Sequence, residues 1–379
     1  MKIYLPLTLI FCFSLIFLSS KSSNIIPESV DNQSDKDSIN SFEKDTITTI
    51  GVGDIMFGTN FPSNSYLPPN DGKDLLLPVI DILKDADITF GNCEGSFLDS
   101  LGTAKKCNDS TKCYAFRQPT KYVQNYVDAG FDLLSIANNH VGDFGETGRN
   151  STIQTLDSAK LFYAGLSSCP FVLFEKNGVK YGFAAFAPNT GTMSINDIDS
   201  AKKITAHLDS LSDIVIISFH GGGEGKSFEH VPKKSEKFYG ENRGDVHKFA
   251  HSVIDAGADI IFGHGPHVTR AVELYKNRLI AYSLGNFCTY SRFNLGGPAG
   301  YAPILKVFTD RQGEFLKGFI FPIKQIGEGG PQLDENNSVV KKIKSLTKKD
   351  FPNTPIEISL TGEIKKVPPK TEKQGLKKK

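Results

Sequence analysis

The run Ile260-Ile261-Phe262-Gly263-His264-Gly265-Pro266-His267 delivers two imidazoles on one short loop after a continuous apolar stretch. Imidazole is the commonest side-chain ligand for zinc, manganese and iron-type metals, and two this close can converge on one centre. Four other places show the same habit of polar residues at the end of a strand-like run. In Gly51-Val52-Gly53-Asp54-Ile55-Met56, the Asp54 carboxylate suits a hard or borderline metal, and the two glycines let other groups approach the backbone. Alone, such an Asp is often a turn former or helix N-cap. In Phe90-Gly91-Asn92-Cys93-Glu94-Gly95, Asn92 or Glu94 could coordinate, with a tight turn as the competing reading.

Ser135-Ile136-Ala137-Asn138-Asn139-His140 places two amides and an imidazole at one strand end, where burial without partners is costly. An Asn oxygen can bind metal, and an adjacent His can serve as general acid or electrostatic clamp. The run from Asp213 to Ser227 nearly spells a phosphate-binding loop, but His220 stands where its first Gly is required. His220 is therefore read as the functional residue at a strand tip, with Glu224 as a second polar contact.

The elements that must position these residues alternate. Strands are expected at Thr46–Val52, Asp87–Phe90, Leu133–Ala137, Tyr181–Phe186, Asp213–Phe219, Asp259–Phe262 and Leu279–Ser283, several of them apolar throughout, as in strands covered on both faces. Helices are expected at Leu75–Lys84, Lys121–Ala129, Thr147–Ser158 and Val246–Ala256, the last stopped by Gly257. Alternation of this kind predicts an α/β domain whose sites assemble at the strand ends. One domain over 46–327 is the simplest organisation. A polar extension over 328–379 follows, with a weak strand signal at Ile356–Leu360 and a tail from Lys365 that carries seven Lys.

The other end supports export. Met1 and Lys2 precede an apolar run, Ile3 to Leu18, and then Ser19 and Ser20, which matches a signal peptide or N-terminal anchor over 1–20. Residues 21–45 have the composition of a solvated linker. An extracytoplasmic location follows, at the periplasm or cell surface. Cys107 and Cys113 flank a short polar segment that a local disulfide could close there. With no CxxC pair, a thiolate zinc site is not expected. The net charge of +1 argues against a nucleic-acid partner.

Taken in order, the five clusters resemble the CapA family of bacterial capsule and poly-γ-glutamate synthesis proteins. Its motifs are a strand-end GD, N-x-E-G, A-N-N-H, a strand-end His followed by Gly, and G-H-x-P-H-V. Here they stand as Gly53-Asp54, Asn92-Cys93-Glu94-Gly95, Ala137-Asn138-Asn139-His140, His220-Gly221 and Gly263-His264-Gly265-Pro266-His267-Val268. Tyr282-Ser283-Leu284-Gly285-Asn286-Phe287 also looks like the family. Because that family is similar to calcineurin-like metallophosphoesterases, the resemblance implies a four-layer α/β/β/α sandwich with a metal centre at the strand ends. It implies Asp54, Glu94, Asn139, His220, His264 and His267 as ligands of one or two divalent ions (Mn, Zn or Fe) and His140 as the catalytic residue. Asn92, Asn138 and Glu224 are expected as substrate contacts.

One departure stands out. The phosphoesterases begin with D-x-H, whereas this chain has Asp54-Ile55-Met56, which puts a two-ion arrangement in doubt. Two functions follow from the resemblance. One is a metal-dependent hydrolase of capsule or poly-γ-glutamate processing, phosphoesterase-like or acting on a γ-glutamyl amide. The other is a non-catalytic polymer-binding or export component. Either would meet an anionic polymer such as poly-γ-glutamate or capsule polysaccharide, and membrane-associated capsule synthesis proteins.

Overall fold

The computed structural model describes residues 46–106 and 114–368. The expected signal segment, the linker, the Cys107–Cys113 loop closure and the end of the Lys-rich tail lie outside those residues. Among the described residues, no helix is long and apolar enough to cross a membrane.

Two sheets face each other. The larger has ten strands, with Ile356–Ile358, Glu363–Lys366, Phe315–Gln325, Tyr301–Thr309, Ile47–Met56, Ile88–Cys93, Leu133–Ser135 and Phe162–Ala164 side by side. Asn286–Thr289 and Pro331–Leu333 pair onto it, against the Ile47–Met56 and Phe315–Gln325 strands. The second sheet has six, in the order Val272–Tyr275, Arg278–Ala281, Ile260–His264, Ile214–His220, Val179–Phe186 and Phe171–Lys176. Between the sheets lies one apolar layer that includes Ile88, Phe90, Leu133, Phe183, Ile216 and Phe262. Helices Ile80–Leu83, Val123–Asp128 and Gly145–Ser158 cover the outer face of the first sheet, through Leu83, Tyr126 and Leu156. Helices Ile198–Asp209 and Val246–Ile254 cover the second, through Leu208, Phe249 and Val253. The result is the α/β/β/α sandwich.

Close approach of the layers depends on glycine in the first strand. A Cβ at Gly51 would stand 2.4 Å from the Phe262 ring, which stacks on Phe90 at 5.2 Å between centroids. Such a ring pair contributes about 0.5–1.5 kcal/mol beyond its burial. A Cβ at Gly53 would meet the Gly285 carbonyl at 1.9 Å, and that same carbonyl accepts the Asp54 N–H at 2.9 Å. Gly53 thus admits the turn that pins the Asp54 backbone.

The polar segment after Gly327 packs on the larger sheet. Glu363–Lys366 pairs with Phe315–Gln325, and Ile356–Ile358 continues the sheet beyond it. Helix Ser338–Asp350 inserts Val339, Val340 and Ile343 into the layer between the sheets. The body of the fold therefore runs on to residue 366. The expected helix at Leu75–Lys84 is a single 3-10 turn at Leu77–Val79 running into one α turn at Ile80–Leu83.

Candidate metal centre

Parallel pairing in both sheets points the carboxyl ends of their strands the same way, and the polar clusters collect there. His220 and His264 are register partners on neighbouring strands of the second sheet. Asp54 and Asn92 are register partners in the first. A Cβ at Gly265 would lie 2.6 Å from the Gly221 carbonyl, so the two His-bearing loops can touch only because Gly265 carries no side chain. His267 sits at φ 54, a left-handed conformation that costs a non-glycine residue of order 1–3 kcal/mol. The fold holds that strain while aiming this imidazole at the rim.

Asp54 is fully buried and takes three hydrogen-bond partners: His267 Nδ1 at 2.8 Å, His264 Nδ1 at 3.2 Å and the Asn92 amide at 2.8 Å. Burial raises its proton affinity, but the two histidines outweigh it and hold the carboxyl well below the usual range. For His267, burial disfavours the cation, and the Asp54 hydrogen bond and charge reverse that, pushing it up to about 9. Burial, with the neighbouring Asp54, pushes the Glu94 carboxyl up to about 8. Burial, with the Arg243 guanidinium, holds His220 well below its ordinary value.

Glu94, His220 and His267 each offer a ligand atom, and the three atoms lie within 4.8 Å of one another. Several buried atoms here have no hydrogen-bond partner among the described residues: both ring nitrogens of His220, His264 Nε2, Glu94 Oε1, Asn139 Oδ1 and Asn286 Oδ1. Buried polar atoms are nearly always satisfied, so a group of orphans made of imidazole nitrogens and carboxyl or amide oxygens fits a divalent transition metal. The donor set contains no sulfur. Met56 is buried, and its sulfur accepts the Gly58 N–H at 3.1 Å.

Asn92 and Asn138 differ from the expectation of substrate contact. Both are fully buried. The Asn92 amide donates to Asp54 and, at 2.6 Å, to Glu94, so it bridges two carboxylates. Asn138 donates to the Cys93 carbonyl and to Asn92, and its oxygen accepts the His140 N–H. Their polar atoms are spent on positioning.

His140 Nδ1 lies 2.7 Å from Asp143 Oδ2, its ring packs on Phe116 at 4.3 Å, and its Nε2 is 3.9 Å from Glu94 Oε1. Asp143 is itself fixed by the Phe116 N–H and by Lys105. Burial lowers the His140 pKa more than Asp143 raises it. Neutral His140, with its Nδ1 proton directed to Asp143, therefore keeps Nε2 as a proton acceptor. Asn139, His140, Glu224 and His267 line a cleft of about 690 Å³, together with Asn286, Lys226, Arg292 and the aromatic rings of Tyr114, Phe116 and Phe293. Glu224 lies 3.2 Å from the Arg243 guanidinium. Sequence reasoning passed over Asp143, Asn286 and Arg292 as site residues. Asp143 follows His140 by three positions and Asn286 follows the expected strand Leu279–Ser283 by three, so both carried a readable signal, whereas Arg292 carried none.

The chain is similar to the capsule biosynthesis protein CapA of Bacillus anthracis, 30% identical over 268 residues. It is also similar to the PGA biosynthesis protein CapA of Bacillus subtilis, 28% identical over 273 residues. The alignments cover 65% and 66% of this chain, and span 60% and 65% of those relatives' own length. Among solved structures, the calcineurin-like phosphoesterase YfkN of Bacillus subtilis matches 81% of this chain and 97% of its own, at 11% identity and a TM-score of 0.42. The family model for the bacterial capsule synthesis protein PGA_cap matches residues 48–291, more than half of the chain and all five polar clusters, and the chain belongs to that family.

Proposed function

We propose that this protein is an extracytoplasmic, metal-dependent hydrolase of capsule or poly-γ-glutamate processing, acting on an anionic polymer. The observation that carries the reading is the convergence of Glu94, His220 and His267 within 4.8 Å at a cleft that His140 also lines. Those three residues, with Asp54, His264 and Asn139 around them, would hold the ion. A divalent manganese, zinc or iron ion bound there would supply Lewis acidity toward a phosphoester or γ-glutamyl amide oxygen.

The chain's own groups do the remaining work. His140, fixed through Nδ1 by Asp143, offers Nε2 to take a proton from the attacking water. Asn92 holds Asp54 and Glu94 together, so that two buried carboxylates share one donor. Lys226 and Arg292 in the cleft give a carboxylate-bearing or phosphate-bearing chain two cations to meet, and the aromatic walls keep bulk water from one side. Membrane-associated capsule synthesis proteins are the proposed partners, because such a polymer would pass from them to this cleft.

Purified protein supplied with manganese or zinc should hydrolyse poly-γ-glutamate or a generic phosphodiester and lose that activity on chelation. Failure on both substrates with metal bound would remove the hydrolase reading. A second reading is favoured by Met56, whose sulfur turns to its own loop in place of an imidazole ligand. On that reading the centre binds polymer without cleaving it. A deletion strain rescued by a folded His140→Ala variant would favour binding, and failure of that rescue would favour chemistry.

A further inference from the structure

A second group of metal-type donors lies outside the cleft and shares no residue with it. His247 and His251 stand four residues apart on helix Val246–Ile254, and Glu273 comes from the neighbouring strand Val272–Tyr275. One ligand atom from each lies within 4.8 Å of the others. We propose that His247, His251 and Glu273 form a second transition-metal site, of zinc type, that clamps this helix to the edge of the second sheet.

Two observations carry it. Histidines at i and i+4 share one helix face, the spacing with which helices present paired imidazoles to zinc. Their rings are 4.1 Å apart between centroids, and His247 Nε2 is buried with no hydrogen-bond partner among the described residues. An imidazole nitrogen left bare beside a second imidazole and a carboxylate has a reason to be there if an ion binds. Secondly, the carboxylate is already oriented. Glu273 Oε2 lies 2.9 Å from His251 Nε2 and accepts the Tyr282 hydroxyl at 2.7 Å, the kind of outer contact that fixes a metal-ligating carboxylate. Tyr275 stacks on the His251 ring at 3.7 Å and restricts its rotation.

Two imidazoles and one carboxylate make a mixed N and O set suited to zinc, leaving a fourth position for water. Around a tetrahedral ion bound at about 2.0–2.2 Å the donors stand about 3.4 Å apart, so small side-chain rotations close the present spacing. Lys248 follows His247 where a helix of the H-E-x-x-H type carries its general base, so the site is structural rather than hydrolytic. Its placement matters for the cleft. Asp245 caps this helix, and the Arg243 backbone carbonyl just before it accepts the Gly222 N–H in the loop after His220.

The test counts metal equivalents. Full-length protein stripped with a chelator is titrated with zinc and with cobalt(II), and bound ions are counted by native mass spectrometry while tetrahedral cobalt absorption is followed. Wild type should bind one equivalent that His247→Gln and Glu273→Gln each abolish and that His267→Ala leaves in place. Tyr282→Phe should weaken that equivalent by about 10- to 100-fold. His247→Gln removes a nitrogen that has no partner, so its fold should hold, and an unchanged circular dichroism melt of the chelated variant checks this. The proposal is overturned if His247→Gln and Glu273→Gln bind as many equivalents as wild type, or if the equivalent they abolish is the one His267→Ala abolishes. A protein that binds only the equivalent lost in His247→Gln would support this site and count against the cleft centre, so the two readings fail separately.

Discussion

Two clusters of buried charge lie within one loop system and are built in opposite ways. Behind the His220 loop, the Arg270 guanidinium forks onto both oxygens of Glu236 at 2.8 and 2.7 Å, and its Nε donates to the Phe228 carbonyl. The Glu236 carboxylate also accepts the Gly223 N–H at 3.0 Å. Every group in that brace is satisfied. Across the loop, the rim around His220 leaves imidazole, carboxyl and amide atoms without partners although they are equally buried. A closed ionic brace fixes the backbone, and an open rim of orphans is what a protein keeps when something else completes it.

Changes on the two sides of this contrast should fail differently. The largest effect is expected at His140. His140→Ala should lower hydrolysis by about 100- to 10,000-fold with metal content unchanged, as steady-state rates and elemental analysis would show. Next, Glu236→Ala in the closed brace leaves Arg270 buried and unpaired, and should destabilise the fold by about 3–5 kcal/mol in urea unfolding, with or without metal. Asn92→Leu strips the shared donor from Asp54 and Glu94. It should cost about 1–3 kcal/mol in metal-free protein, and less once metal is bound, compared by thermal melts in both states. The smallest effect sharpens the contrast most. In chelated protein, His220→Leu removes two nitrogens that have no partner and should shift stability by less than about 1 kcal/mol, yet it should abolish the rise in Tm on adding metal.

Much of this was legible in the sequence because the parallel strands are short, apolar and end in unusual polar residues. Ile260–Phe262 and Ile214–Phe219 read as buried strands, and His264, His267 and His220 fell at their tips. What sequence left open is set by pairing across long separations. Phe315–Gln325 mixes Phe and Ile with Lys317, Lys324 and Gly318, since only part of the strand faces the core, and its partner Glu363–Lys366 lies some forty residues on. Polar composition after Gly327 therefore concealed elements that belong to the sheet. Depth was equally hidden. Asn92 and Asn138 carry the right chemistry for touching substrate, but the fold sets them below the cleft and spends their amides on neighbouring carboxylates and carbonyls. Nor could local spacing reveal the Arg270–Glu236 brace, whose members stand 34 residues apart.

The central claim is that Glu94, His220 and His267 close on one ion. Crystals grown with manganese or zinc, with data collected at the metal's absorption edge, test it most directly. The account predicts an anomalous peak within bonding distance of Glu94, His220 and His267 that disappears in His267→Ala. Full-occupancy metal elsewhere in the cleft, or none at saturating concentration while these three side chains keep their present positions, would contradict it.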